Sequence, residues 1–236
     1  MGRIHNIEGK KNKMDSKRAA AFTKHARSIA VAAKEGGGQP EYNAALKLAI
    51  EKAKADNMPN DNIDRAIKKG IGGGDGENYE HITYEGYGPG GVAMIIEVLT
   101  DNRNRAAGNV RHYLDKVGGN LGTTGCVSYM FERKGAIFVE KDDALNEDAI
   151  MEAALEAGAE DFQTEEEGYE VITAPDDFLT VKEALEALGC TFLSADVTML
   201  ANMYTAVDEQ HKKSLDKLLD LLDDDDDVQN VYTNLA

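Results

Sequence analysis

The apolar positions of the chain follow two regimes. Up to residue 70 they recur every three or four residues. Phe22, Ala26, Ile29, Ala30 and Ala33 make one stripe, and Ala45, Leu46, Ala49, Ile50 and Ala53 make another. This is the period of a helix with one buried face. It predicts a first helix capped by Asp15 or Ser16 and running to about Lys34, where Gly36-Gly37-Gly38 stops it. A second helix is expected over about 41–56. A third opens around Met58-Pro59-Asn60-Asp61, with proline suited to the first turn, and ends at Gly70. Segment 1–13 reads as a polar, lysine-rich arm, and 70–76 as a glycine hinge.

From about residue 80 the period changes. Val92 to Thr100 is a continuous apolar run opened by the turn Gly88-Pro89-Gly90-Gly91, which predicts a buried strand. A helix over 103–117 and a strand over 127–131 follow. Next come a strand over 136–140, a helix over 146–157, strands over 161–165 and 168–173, a helix over 177–188 and a strand over 191–199. A short strand near 203–207, a helix over 208–222 and a strand over 228–232 complete the series. The order within 136–199 is β-α-β-β-α-β, and removing that stretch leaves the same order in what flanks it. The predicted fold is α+β: an N-terminal three-helix domain (1–79) and two ferredoxin-like α+β domains, one (135–201) inserted into the other (80–134 plus 202–236).

Composition adds little until charge is divided along the chain. Apolar residues make up 42% of the 236 and charged residues 29%, an ordinary globular balance. No run approaches the ~20 apolar residues of a membrane span. Arg3, Glu8 and Lys10 break any signal-peptide core, so a cytoplasmic protein with no membrane partner is expected. Cys126 and Cys190 lack metal-ligand spacing and read as reduced thiols. The formal net charge is −17, yet residues 1–72 hold 15 Lys and Arg against 8 Asp and Glu, a net of +7. Such polarity points a basic end at an anionic partner.

On the first helix Lys17, Lys24, Arg27 and Lys34 fall opposite the apolar stripe, within an arc of about 100°. With Lys10, Lys11 and Lys13 of the arm, and Arg18, they form the candidate nucleic-acid surface, suited to sequence-independent phosphate contact. Arg103 and Arg105 stand where a strand hands over to its helix and join the candidates; the other reading is a capping loop with two surface arginines. Gly118 to Gly125 follows a helix and precedes a strand, the reverse of a P-loop, and reads as a helix stop with a tight loop. Tyr129 and Phe131 alternate onto one sheet face, where burial under a helix is expected. The five acids Asp223 to Asp227 read as a solvated turn, because they lack the interleaved residues of an EF-hand. The histidines are scattered, and no nucleophile–base grouping stands out. No catalysis, metal, cofactor or small-molecule substrate is expected.

Several blocks carry a resemblance. Phe22-Thr23-Lys24 through Gly36-Gly37-Gly38 is one, and Asn57-Met58-Pro59-Asn60-Asp61 through Lys68-Lys69-Gly70 a second. Tyr84-Glu85-Gly86-Tyr87-Gly88-Pro89-Gly90-Gly91 with Asp101-Asn102-Arg103-Asn104-Arg105 is a third. Gly118-Gly119-Asn120-Leu121-Gly122 with Val127-Ser128-Tyr129-Met130-Phe131, and the closing Asp225 to Asn234, complete them. Together they resemble the YebC/PmpR family, which includes the mitochondrial translational activator of cytochrome oxidase subunit one. The resemblance implies a helical domain plus two α+β domains, and a cytoplasmic, non-enzymatic DNA-binding transcriptional regulator without a cofactor. Other members resemble translation factors, so ribosomal RNA and the ribosome are the alternative partners. The chain opens Gly2-Arg3-Ile4-His5, where the family has Gly-His-Ser-Lys-Trp.

Overall fold

The structure, a computed structural model, describes residues 14–72, 79–142 and 145–236, with side chains from Ala20 onward. Three α-helices open it: α1 (Met14–Gly36), α2 (Ala44–Ala55) and α3 (Asn60–Ile71). They bury Ile29 and Ala33 of α1, Leu46, Ile50 and Ala53 of α2, and Ile63 and Ala66 of α3 in one core. Gly37 ends α1 at φ 87°, a left-handed conformation that glycine adopts without a Cβ penalty. Buried Asn43 ties the corner: its Nδ2 donates to Ala32 O and Gly37 O, each at 2.8 Å, and its Oδ1 accepts from Leu46 N. One asparagine thus caps α2 and satisfies carbonyls at the end of α1.

The first sheet contains β1 (Glu80–Tyr87), β2 (Ala93–Thr100), β3 (Asn120–Leu121) and β8 (Val228–Thr233), in the antiparallel order β3-β1-β2-β8. Helices α4 (Arg103–Lys116) and α7 (Glu209–Asp223) belong with it. Met94, Ile96 and Val98 of β2 pack with Val110 and Leu114 of α4 and with Leu215, Leu218 and Leu222 of α7. Ile95 and Leu99 point the other way and are also buried, which is why β2 reads as an unbroken apolar run.

The second sheet, within the compact unit Tyr129–Tyr204, has the order β5-β6-β4-β7. Its strands are β4 (Phe131–Glu140), β5 (Ala159–Thr164), β6 (Gly168–Thr173) and β7 (Phe192–Ala201). Helices α5 (Glu147–Glu156) and α6 (Phe178–Ala187) supply Ile150, Ala154, Val181 and Leu185 to a core with Ile137, Val139 and Val171. The fold is therefore α+β, with a helical N-terminal region and two four-stranded antiparallel sheets. The second sheet has the ferredoxin-like arrangement directly. The first reaches it by permutation, because β1 stands where the third strand of β-α-β-β-α-β would lie.

That permutation corrects the sequence reading in three places. Strand β1 was not expected. The strand expected over 127–131 is a 3-10 turn at Ser128–Met130, and Phe131 starts β4 of the other sheet. The strand expected near 203–207 is a single bridge, Thr205 with Leu235. One cause is visible at Glu85, whose buried carboxylate accepts from the backbone N–H of Gly125, Val127 and Ser128 at 2.7 to 2.9 Å. Those donors are spent on a side chain and are lost to any ladder.

Candidate nucleic-acid interface

The face of α1 that carries Lys24 and Arg27 also carries Ser28, one to two turns along a single side. Lys24 and Arg27 reach the end of α7 and the turn that follows it, and Ser28 reaches the start of β8. Lys24 Nζ donates to Asp223 O at 2.6 Å, which places a cation on the carbonyl end of α7. Arg27 donates to Asp226 O at 2.8 Å and to Asp227 Oδ1 at 2.9 Å, and its guanidinium lies over the Tyr79 ring. Ser28 Oγ donates to Gln229 Oε1 at 2.9 Å. Lys24 and Arg27 thus share one face, and an acidic turn of the same compact unit covers it.

Asp227 is the hub of that turn. Its side chain is 5% exposed; Oδ1 receives Arg27, while Oδ2 receives Arg105 Nε and Nη2 at 3.1 and 2.7 Å and Thr100 Oγ1 at 2.9 Å. Arg105 also donates to Asp101 Oδ1 at 2.6 Å. Hydrogen bonds to Asp227 and Asp101 raise the Arg105 pKa further, and that with Arg105 lowers Asp101 from its ordinary value. Asp225 accepts from Asn109 and from the Tyr113 hydroxyl, and burial followed by the Asp225 charge pushes that phenol up to about 12. The expectation of a fully solvated acidic turn is corrected on this point, since Asp225 and Asp227 are ligands of neighbouring helices. Burial lowers the Lys24 ammonium below its usual range, and the four aspartates at 223–226 only partly offset it.

The remaining candidates are placed differently. Lys10, Lys11 and Lys13 lie outside the described residues, as do the side chains of Lys17 and Arg18. Lys34 is exposed in the last turn of α1, and Arg103 is exposed in the first turn of α4. Further basic residues, not singled out from sequence, gather at helix ends: Lys52 and Lys54 in the last turn of α2, Lys68 and Lys69 in that of α3. Their signal was positional, since cations favour C-terminal turns. The described residues hold no group of three or more His, Cys, Asp or Glu disposed to bind a metal ion. No described helix is long and apolar enough to cross a membrane.

A helical region rich in Lys and Arg followed by two small α+β sheets defines the architectural class of this protein. Comparison with known proteins makes this specific. Residues 2–73 match the TACO1/YebC protein N-terminal domain, and residues 79–235 match the TACO1/YebC second and third domain. The chain belongs to the TACO1/YebC family. It is 65% identical over 235 residues to a probable transcriptional regulatory protein of Clostridioides difficile (strain 630), covering 99% of this chain and 98% of that one. A probable transcriptional regulatory protein of Clostridium novyi (strain NT) is 57% identical over 230 residues, covering 98% and 94%. The crystal structure of a conserved hypothetical protein from Aquifex aeolicus superposes with a TM-score of 0.83 at 47% identity, covering 96% of this chain and 93% of that one.

Proposed function

We propose that this protein is a non-enzymatic, cytoplasmic regulator of gene expression that binds the phosphate backbone of nucleic acid through its basic N-terminal helical domain. The observation that carries the reading is the division of charge: residues 1–72 hold 15 of the 26 Lys and Arg but 8 of the 43 Asp and Glu. DNA is the first target considered, because the relatives are named probable transcriptional regulatory proteins. Lys10, Lys11, Lys13, Lys17, Arg18 and Lys34 are the proposed contacts there. Lys24, Arg27 and Arg105 take a second role, as groups whose charge is shared with the acidic turn.

Ribosomal RNA is the second reading. It is favoured by the shortage of Arg, Asn and Gln along the basic stripe, which is rich in lysine and so matches phosphate better than base edges. Fluorescence anisotropy with labelled duplex DNA and with a ribosomal RNA fragment tests both readings, together with sedimentation of lysate on a sucrose gradient before and after RNase. Binding to duplex DNA with the protein at the top of the gradient supports transcriptional control. RNase-sensitive co-migration with ribosomes at low salt supports the second reading. Absence of binding to either polymer at low salt overturns the proposal.

A further inference from the structure

The second sheet ends in two edges of unlike character. The β5 edge carries Glu160 and Asp161, and Glu165 to Glu167 follow it, a density of charge that keeps further strands away. The β7 edge is 10 residues long, Phe192–Ala201, and Asp196 is its one charged residue. The bond from Asn202 N–H to Met130 O, 2.8 Å, fixes the phase of the β4–β7 ladder. Hydrogen-bonded pairs alternate along such a ladder, so Leu200, Thr198, Asp196 and Ser194 address β4. Ala195, Val197, Met199 and Ala201 turn their N–H and C=O groups outward, where no backbone bond from a described residue meets them. Ala195 and Val197 pair with Ile137 and Gly135, so these side chains lie on the sheet face that α5 and α6 cover, yet they are only partly buried.

We propose that the β7 edge is a docking site for another protein, and that its occupant is an extended basic segment added to the sheet as a further strand. Charge chooses the occupant. Residues 129–204 hold 19 Asp and Glu against 4 Lys and Arg, a net of −15. A second copy would set two such charges side by side, whereas a cationic segment is drawn in. The pleat then states which residues that segment needs. Every second side chain lies beside Ala195, Val197 and Met199, where apolar groups fit. The others lie on the face of Asp196. The pairings Asp196–Ala136–Ile172–Asp161 and Ser194–Phe138–Glu170 put two more acids on that face. Its lysine, Lys134, is already bonded to Glu132 and Glu160. Lysine or arginine of the partner fits there. The recognised sequence is therefore apolar and basic in alternation, held by the backbone of 195, 197, 199 and 201. This docking uses none of the residues proposed to contact nucleic acid and stands or falls separately.

The test uses the full chain and a fluorescein-labelled Lys-Val-Lys-Val-Lys-Val-Lys-Val peptide, with Lys-Lys-Lys-Lys-Val-Val-Val-Val as the control of equal charge. Val197→Pro removes an outward N–H and costs no bond to β4. Met199→Lys leaves the backbone whole and puts a cation on the edge. Expected are a preference for the alternating peptide and a weakening of its binding by about tenfold or more in each variant. Slower hydrogen exchange at the amides of 195, 197, 199 and 201 of the parent, on adding that peptide, is the accompanying signature. Affinity within about twofold of the parent in the folded variants, or no slowing at those amides, overturns the edge as the site. Equal affinity for the two peptides overturns strand addition and leaves charge attraction alone. Parent protein that binds neither peptide, yet sediments as a dimer that Val197→Pro dissociates, overturns the choice of occupant in favour of a second copy. Parent protein that binds neither and stays monomeric overturns the docking site altogether.

Discussion

Asp227 shows how far one side chain can be committed. It is buried, yet it accepts from two arginines and a threonine on three separate elements. Truncation removes the carboxylate partner of Arg27 and leaves Arg105 with Asp101 alone, although both arginines keep some access to water. Asp227→Ala is expected to cost about 2–4 kcal/mol, read as a lower urea midpoint at unchanged slope. A loss below about 0.5 kcal/mol would show the network to be idle. Charge reversal at Lys24 or Arg27 sets like charge against the acidic turn, so such variants report on docking of α1 before they report on nucleic acid. Lys24 itself is different, because burial outweighs its attraction to the aspartates; Lys24→Met is expected to shift stability by less than about 1 kcal/mol. Glu85 gives a pH signature. Burial alone would raise its carboxyl, but the backbone N–H groups of Gly125, Val127 and Ser128 prevail and hold it below the ordinary value. Its contribution is then present above the unfolded value of about 4.3 and lost as pH falls through the lower folded value. Glu85→Gln should unfold at lower temperature than the parent at pH 7, and the gap should close toward acid.

Two helical glycines act with opposite sign at the scale of elements. A Cβ at Gly70 of α3 would run into the carbonyl oxygen of Ala30 and come within 2.9 Å of Ala33 Cβ, both on α1. Gly70→Ala is expected to destabilise the helical region by about 1–3 kcal/mol, since backbone cannot move aside cheaply. At Gly108 of α4 an added Cβ meets nothing within 4 Å, and Gly108→Ala should stabilise by about 0.5–1 kcal/mol. Thermal unfolding of the pair decides whether α1 and α3 cross as closely as described. Elements with one unambiguous period were legible from sequence. The stripes on α1 and α2, the apolar run of β2 and the alternation of strand and helix in 136–199 each appear near the expected bounds. Strand β1 was not, because Glu80–Tyr87 mixes charge, a glycine and aromatics without clear alternation. The false strand at 127–131 had the right residues, but Glu85 takes its backbone donors. The basic stripe and the acidic turn were each visible too. Their pairing was not, since about 200 residues of chain separate Arg27 from Asp227 and nothing local joins them.

For the whole molecule, charge polarity sets two opposite responses to salt. The chain beyond residue 72 carries 11 Lys and Arg against 35 Asp and Glu, a net of −24 that the +7 before it reduces to −17, and its like charges repel in the folded state. Raising salt from about 50 to 200 mM should therefore raise the melting temperature while weakening nucleic-acid binding by orders of magnitude. Parallel movement of the two quantities would contradict the charge argument. The sheet order β3-β1-β2-β8 carries a further consequence, for the protein as it is being made. Strands β1 and β2, helix α4 and strand β3 are all synthesised by residue 121, but the β8 partner of β2 is not complete until residue 233. In that interval one edge of β2 is open, and its apolar side lacks Leu215, Leu218 and Leu222. The unit between them needs no later residue for its four strands and two helices. A growing chain thus holds a finished insert inside an unfinished host, and its period of greatest exposure to misassembly is the time taken to make α7 and β8.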